Sequence, residues 1–258
     1  MWLALLLQAD VAVVAWMARL LRLYTTRSTS SQICWWITIA LKQGIPTSYW
    51  RAAGYTQNTF FAESFLDELA FAGGKDPLEV RKRLLVNSPR QLKVLTVAAE
   101  QAGWGKAPAG RFHGLAVVNN IGSFTAQVAE VSFVKGKLKV HRVVCAVDCG
   151  HVVNPAILTQ QIEGGIVYGL SAALKGAITI DRGRVQQGNF DTYNVVRIDE
   201  MPIVEVHVVE TDHALGGIVE VRSHPFHPRY ATRSLRQRAS AFASYPSGNR
   251  ILLKIARW

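Results

Sequence analysis

Apolar and polar positions recur along the middle of the chain with two periods, and these place the elements. Phe61, Phe65, Leu66 and Leu69 fall at helical spacing and stop at Gly73-Gly74. Asp76-Pro77 with Glu79, and Ser88-Pro89 with Gln91, each join a capping side chain to a proline suited to the first helical position, so two more helices start there. Residues 115–119, 125–134 and 138–147 alternate in the manner of strands, with Lys135-Gly136-Lys137 as the hairpin turn between the last two. The β-branched run turns at Cys149-Gly150, and Asn154-Pro155 opens another helix, asparagine as cap and proline in the first turn. Residues 177–180 and 204–210 read as further strands. The sum is an α+β body without internal repeats.

The helix after Asn154 carries Gly164, Gly165 and Gly169, each of which weakens a helix, so something approaches the backbone closely there. Gln161 lies beside them and can aim its amide at that neighbour. A helix pressed onto a sheet accounts for the glycines equally well, and spacing alone leaves both explanations open.

Composition changes the picture mainly through where the charge lies. The 258 residues carry a formal net charge of +11. Residues 221–258 hold eight Lys or Arg and no acid, and residues 1–40 hold three basic residues and one acid. The central 41–220 is left with 18 basic and 17 acidic residues, an ordinary balance that does not mark a nucleic-acid-binding body. Cys34, Cys145 and Cys149 show no metal-site spacing; Cys145 and Cys149 sit four apart in a strand-like run, so buried free thiols are expected, and no iron–sulfur cluster is held by this chain alone. Residues 1–24 look like an anchor or export signal. No positive charge precedes the apolar run, however, and Asp10 at mid-span would cost about 2.5–3.5 kcal/mol in a bilayer. A membrane span is therefore not expected.

Isolated candidates are weak one by one. Arg51, in an Arg51-Ala52-Ala53-Gly54 turn, can present a guanidinium to an anion, although a lone turn arginine is more often solvated or paired. Glu63, Asp67 and Glu68 on one helix read as a solvated face. His224 and His227 lack a third metal ligand. There is no GxGxxG after a strand, no phosphate-binding lysine loop and no GxSxG elbow.

Taken together, the stretches IPTSYWRAAGYTQNTFFAESFLDELAFAGGKDPLEVRKRLL, VHRVVCAVDCGHVVNPAILTQQIEGGIVYGLSAAL and NFDTYNVVRIDEMPIVEVHVVE resemble the molybdenum-cofactor large subunits of the xanthine dehydrogenase and aldehyde oxidase family, on the branch of isoquinoline 1-oxidoreductase β subunits. The likeness runs from about residue 42 to 218, in order. It implies the C-terminal part of a molybdopterin-binding domain, with mixed sheets and packed helices. It also implies molybdenum-molybdopterin as cofactor, with no metal ligand from the protein; iron–sulfur clusters would sit on a small partner subunit that accepts the electrons. The implied substrate is a small N-heterocycle or an aldehyde, hydroxylated with oxygen from water, and the implied neighbour is the N-terminal part of the large subunit. Relatives on this branch are often exported, which leaves periplasm and cytoplasm both open.

Position by position, the resemblance carries Arg51, Gly54 and Gln57 onto an Arg-Gly-x-Gly turn with a trailing glutamine that lines the molybdenum site. Ala52 and Ala53 depart from it; Ala53 stands where many members place a substrate-facing aromatic, which implies a wider pocket. Gln161 matches the glutamine that hydrogen-bonds the cofactor, Gly164 and Gly165 fit the close approach to the pterin, and Glu220 falls at the catalytic glutamate, the general base.

After Glu220 the family pattern stops. Read from the third base of each codon, with suitable synonymous codons, residues 232–242 give AIFAATGKRI and residues 31–39 give PNLLVDYH, both family-like; the two Trp codons force the Val-Asp in the second. The expectation is therefore a body at 41–220 between segments 1–40 and 221–258 that are translated out of frame. Such a product is expected to be silent alone. The competing reading takes the ends at face value, as a small membrane-anchored basic protein that binds nucleic acid or anionic lipid.

Overall fold

The computed structural model describes residues 51, 52 and 54–218. The apolar run 1–24, Cys34, Ala53, Glu220, His224, His227 and the basic tail lie outside the described residues. Three helices come first: α1 Gly54–Ala72, α2 Pro77–Leu84 and α3 Pro89–Ala102. Strands β1 Phe112–Asn120, β2 Ser123–Val134 and β3 Lys137–Asp148 follow, then helix α4 Pro155–Leu174. A two-residue hairpin, β4 Ile180–Asp181 with β5 Arg184–Val185, and a short turn of 3-10 helix Ile198–Glu200 lead to β6 Ile203–Val208. The main sheet has the order β1-β2-β3-β6, antiparallel except for the parallel pair β3–β6, which α4 and the segment after it connect. The expected mixed sheet with packed helices is what forms.

Both faces of this sheet are covered, so positions on either side of its alternating strands are buried. Leu115, Val117, Ala126, Val128, Val144 and Ala146 point toward Val94, Leu95, Ala98 and Ala99 of α3. The opposite face sets Val143, Cys145 and Val147 against Leu158, Ile162, Ile166 and Leu170 of α4. The hairpin turn has positive φ at both Lys135 (51°) and Gly136 (78°), the two-residue geometry whose twist matches that of the strands.

Helix starts follow the caps, with two changes. Asp76 Oδ1 accepts from the backbone N–H groups of Leu78 and Glu79, while Glu79 pairs with Lys82 and does not turn back to the cap. Ser88 makes no backbone cap; its hydroxyl donates to the Gln91 side chain at 3.4 Å. Asn154 caps α4 through Ile157 N–H at 3.1 Å. The strand expected at 177–180 shrinks to the two residues of β4.

The larger correction concerns α1. Glu63 and Asp67, read as part of a solvated face, are buried, whereas Glu68 is exposed. Arg81 of α2 explains the reversal. Its Nε donates to Glu63 Oε2 at 2.9 Å, its Nη2 to the Glu63 carbonyl at 2.9 Å, and its Nη1 stands 2.7 Å from Asp67 Oδ1. Glu63 Oε2 also accepts the backbone N–H of Val117 at 3.0 Å, so α1 is tied to strand β1 as well. Burial lowers the tendency of Arg81 to stay charged, but the two carboxylates outweigh it and its pKa lies above the usual arginine value. No helix among the described residues is long and apolar enough to cross a membrane.

Candidate functional site

Helix α4 is two-sided. Leu158, Ile162, Gly165, Ile166, Gly169 and Leu170 are buried against the sheet. Ile157, Gln161, Gly164 and Tyr168, at offsets of four, seven and eleven residues, form one exposed line on the outside. The two neighbouring glycines thus do different work: Gly165 permits helix-on-sheet packing, while Gly164 leaves open space, with no other atom within 4 Å of where a Cβ would stand.

The turn before α1 meets this line. The Arg51 guanidinium lies 4.9 Å from the centre of the Tyr168 ring, a cation–π distance. Thr56 Oγ1 donates to the Arg51 carbonyl at 3.2 Å, and Tyr55 N–H to the Ala52 carbonyl at 3.0 Å. Ala52 is buried at φ 71°, a left-handed backbone that glycine adopts freely and alanine does not. Gly54 is the first residue of α1, and Gln57 follows in its first turn. Arg51, Tyr168, Gly164 and Gln161 therefore share one surface. Sequence reasoning missed Tyr168, although its place seven residues after Gln161 puts it on the same line.

The segment that leads to Glu220 is held at the end of the sheet. Gly216 N–H donates to the Cys149 carbonyl at 2.9 Å and Gly217 N–H to the Ile121 carbonyl at 2.8 Å. A side chain on Gly216 would collide with Ser123 Oγ and come within 2.7 Å of the Gly122 carbonyl. Gly150, at φ 76°, accepts the segment on the other side; a Cβ there would stand 2.5 Å from the His213 carbonyl oxygen. Ile218, the last described residue, packs against the cluster that includes Leu158 and Ile162 of α4.

A charged clamp fixes the same end. Arg90 Nε and Nη2 donate to the two oxygens of Asp148 at 2.7 and 2.6 Å, and the guanidinium lies 4.5 Å from the Phe124 ring centre. Asp148 Oδ1 also accepts from Gly150 N–H at 3.0 Å and Thr211 Oγ1 at 2.9 Å. Burial pushes the Asp148 carboxyl up, and these donors outweigh it, so its pKa falls below the ordinary carboxylate value. Cys145 and Cys149 are free and buried; burial pushes the Cys145 thiol up to about 12, against a smaller opposing effect of the Gln127 amide. Among the described residues no three His, Cys, Asp or Glu side chains are placed to hold a metal ion.

Residues 93–202, from α3 to the start of β6, match the model of the molybdopterin cofactor-binding domain. The β subunit of isoquinoline 1-oxidoreductase from Brevundimonas diminuta is 33% identical over 237 residues, 84% of this chain. This chain belongs to the xanthine dehydrogenase and aldehyde oxidase family of molybdopterin-binding subunits. It spans 30% of the length of that relative and 16% of a nicotinate dehydrogenase subunit of Pseudomonas putida, which is 29% identical over 189 residues. The family fold is also seen in quinoline 2-oxidoreductase of Pseudomonas putida 86, with a TM-score of 0.60 at 11% identity over 67% of this chain and 48% of that one. The aldehyde oxidoreductase of Desulfovibrio desulfuricans gives 0.56 at 14% identity over 68% and 38%. In the family frame, the open line on α4 fits a molybdopterin: a side-chain amide, a position without a side chain and a nearby guanidinium suit a flat, polar, phosphate-bearing group.

Proposed function

We propose that this chain forms one wall of a molybdenum–pterin site in the large subunit of a hydroxylase, and that the 258-residue product is catalytically silent by itself. The observation that carries this reading is the meeting of Arg51 with the α4 line of Gln161, Gly164 and Tyr168. When bound, the cofactor supplies a two-electron oxidation of an N-heterocycle or aldehyde in which water is the oxygen source. The Gln161 amide would donate to and accept from the pterin, Gly164 would let it lie close to the helix, and Arg51 would offset negative charge on a phosphate or substrate. Gly54 and Gln57 would line the same turn. The Glu220 carboxylate, three residues after Gly217 in the sequence, would hold the proton removed during attack. A small iron–sulfur subunit would take the electrons, and the rest of the large subunit would supply the facing wall.

The basic and apolar ends, residues 221–258 and 1–40, are out of frame in this reading and carry no part of the site. A coding sequence in which no single-base shift near codons 40 and 220 restores the family pattern would refute that part. For the site, the chain is purified from a host that makes the cofactor, and molybdenum and pterin are quantified. Sub-stoichiometric pterin is expected in the wild type and at least a tenfold loss in Gln161→Ala and Arg51→Ala. Equal retention by the variants overturns the assignment, and hydroxylation of an N-heterocycle by the chain alone overturns its silence.

A further inference from the structure

Helix α1 is amphipathic the wrong way round for an element at the edge of a finished domain. Glu63 and Asp67 are buried on Arg81 and Val117, while Phe61, Phe65 and Leu69 face outward, 45, 58 and 49% exposed, with the exposed Glu68 at the margin of their face. Spaced by four residues, the three form a single stripe, extended sideways by the Phe60 ring at 5.4 Å from that of Phe61. An apolar stripe opposite a satisfied polar face suits burial beneath another polypeptide layer.

We infer that the Phe61–Phe65–Leu69 stripe is the docking face for the polypeptide that full-length relatives carry outside the region this chain matches. This rests on the cofactor-wall reading. The chain spans only 30% of its B. diminuta relative, so more than twice its length of additional polypeptide belongs to the intact subunit. The open line of α4 needs a facing wall, and Arg51, just before the described start of α1, already lies on that line at Tyr168. A layer that closes the α4 line from that side therefore runs past the N-terminal half of α1, where the stripe begins. A second copy of this chain would bring another open α4 line and no facing wall.

The test co-expresses the 258-residue chain with the tagged complement of the B. diminuta relative, that is, its sequence outside the match. The wild type is expected to co-purify with the complement, the Phe65→Asp/Leu69→Asp double variant to lose about tenfold or more, and Val134→Asp, an equally exposed position on the β2–β3 hairpin, to behave as wild type. A photo-crosslinking phenylalanine analogue at position 65 is expected to capture the complement, which keeps the test decisive if the double variant does not fold. No association by the wild type, unchanged association by the double variant, or self-association of the chain alone that the double variant abolishes each overturns the inference. Association without retained pterin sinks the cofactor wall and leaves the docking face standing, so the two readings fail separately.

Discussion

Replacing Arg81 with Leu removes the only cation in contact with two buried carboxylates among the described ion pairs, and its cost can be worked from the contacts. Arg81 is 1% exposed and holds Glu63 through Nε, the Glu63 carbonyl through Nη2, Asp67 through Nη1 and the Pro77 carbonyl at 3.1 Å. Removal of one partner from a buried ion pair costs about 3–5 kcal/mol, because the remaining charge keeps its desolvation penalty. Glu63 retains the Val117 N–H, and its side chain and that of Asp67 remain 11 and 9% exposed, so the lower half of that range, about 3–4 kcal/mol, is expected. Against the usual 5–15 kcal/mol of a whole domain this is a large fraction.

Urea is the denaturant of choice, since it does not screen charge, and the midpoint and slope together separate lost stability from a changed unfolded state. The decisive comparison is a triple variant, Arg81→Leu/Asp67→Leu/Glu63→Gln, which removes every charge and keeps an acceptor for Val117 N–H. It is expected to recover about half of what the single substitution loses. A loss below about 1 kcal/mol in Arg81→Leu, or a triple variant no better than the single one, refutes the idea that the charges hold α1 in its reversed orientation.

Three further outcomes follow from the site and its surroundings. Gly164→Ala is expected to stabilise the chain in thermal unfolding by up to about 1 kcal/mol, since a mid-helix glycine becomes alanine in open space, and to lower pterin retention; destabilisation would place a neighbour where none stands. Cys145, with its thiol pushed up to about 12 by burial, is expected to resist an alkylating reagent at pH 8 in the folded chain and to react on addition of urea, read by mass spectrometry. Burial holds the His113 pKa below its ordinary value despite the pull of Glu130, so the unfolded chain binds the proton first: stability is full above about pH 6.5 and declines as pH falls below it. The His113→Gln variant should show a shallower decline there, the remainder coming from His141, which burial also holds low, and should keep the loss below about pH 4, where Asp148 and Glu205, both held low by their arginine partners, become protonated; an identical pH profile in the variant would remove His113 as a source.

The sheet was legible because its signals are local. Strand alternation, the Lys135-Gly136 turn and the Asn154-Pro155 start each act within a few residues, and all three elements appear where the pattern puts them. Helix α1 was legible as a helix and illegible as a face. A binary pattern takes Phe61, Phe65 and Leu69 inward by default, and only a partner 18 residues from Glu63 reverses it. The one available signal was the spacing of Glu63 and Asp67 by one helical turn, followed by an arginine in the next helix, which spacing alone could not distinguish from a wet surface. Glu220 and Gly54 come from family likeness, since nothing in their local pattern singles them out.

The glycines of α4 divide between two faces of the helix. Packing on a sheet and room for a ligand looked like rival explanations of one cluster, but a helix turns about 100° per residue, so Gly164 and Gly165 cannot serve the same neighbour. Gly165, with Gly169, lies on the face that meets the sheet; Gly164, with Gln161 and Tyr168, lies on the face that Arg51 reaches. Packing therefore explains Gly165 and Gly169, and no packing neighbour accounts for Gly164. In the proposed wall that open position would let a bound group lie close to the helix, and Gly164→Ala separates the wall's stability from that role.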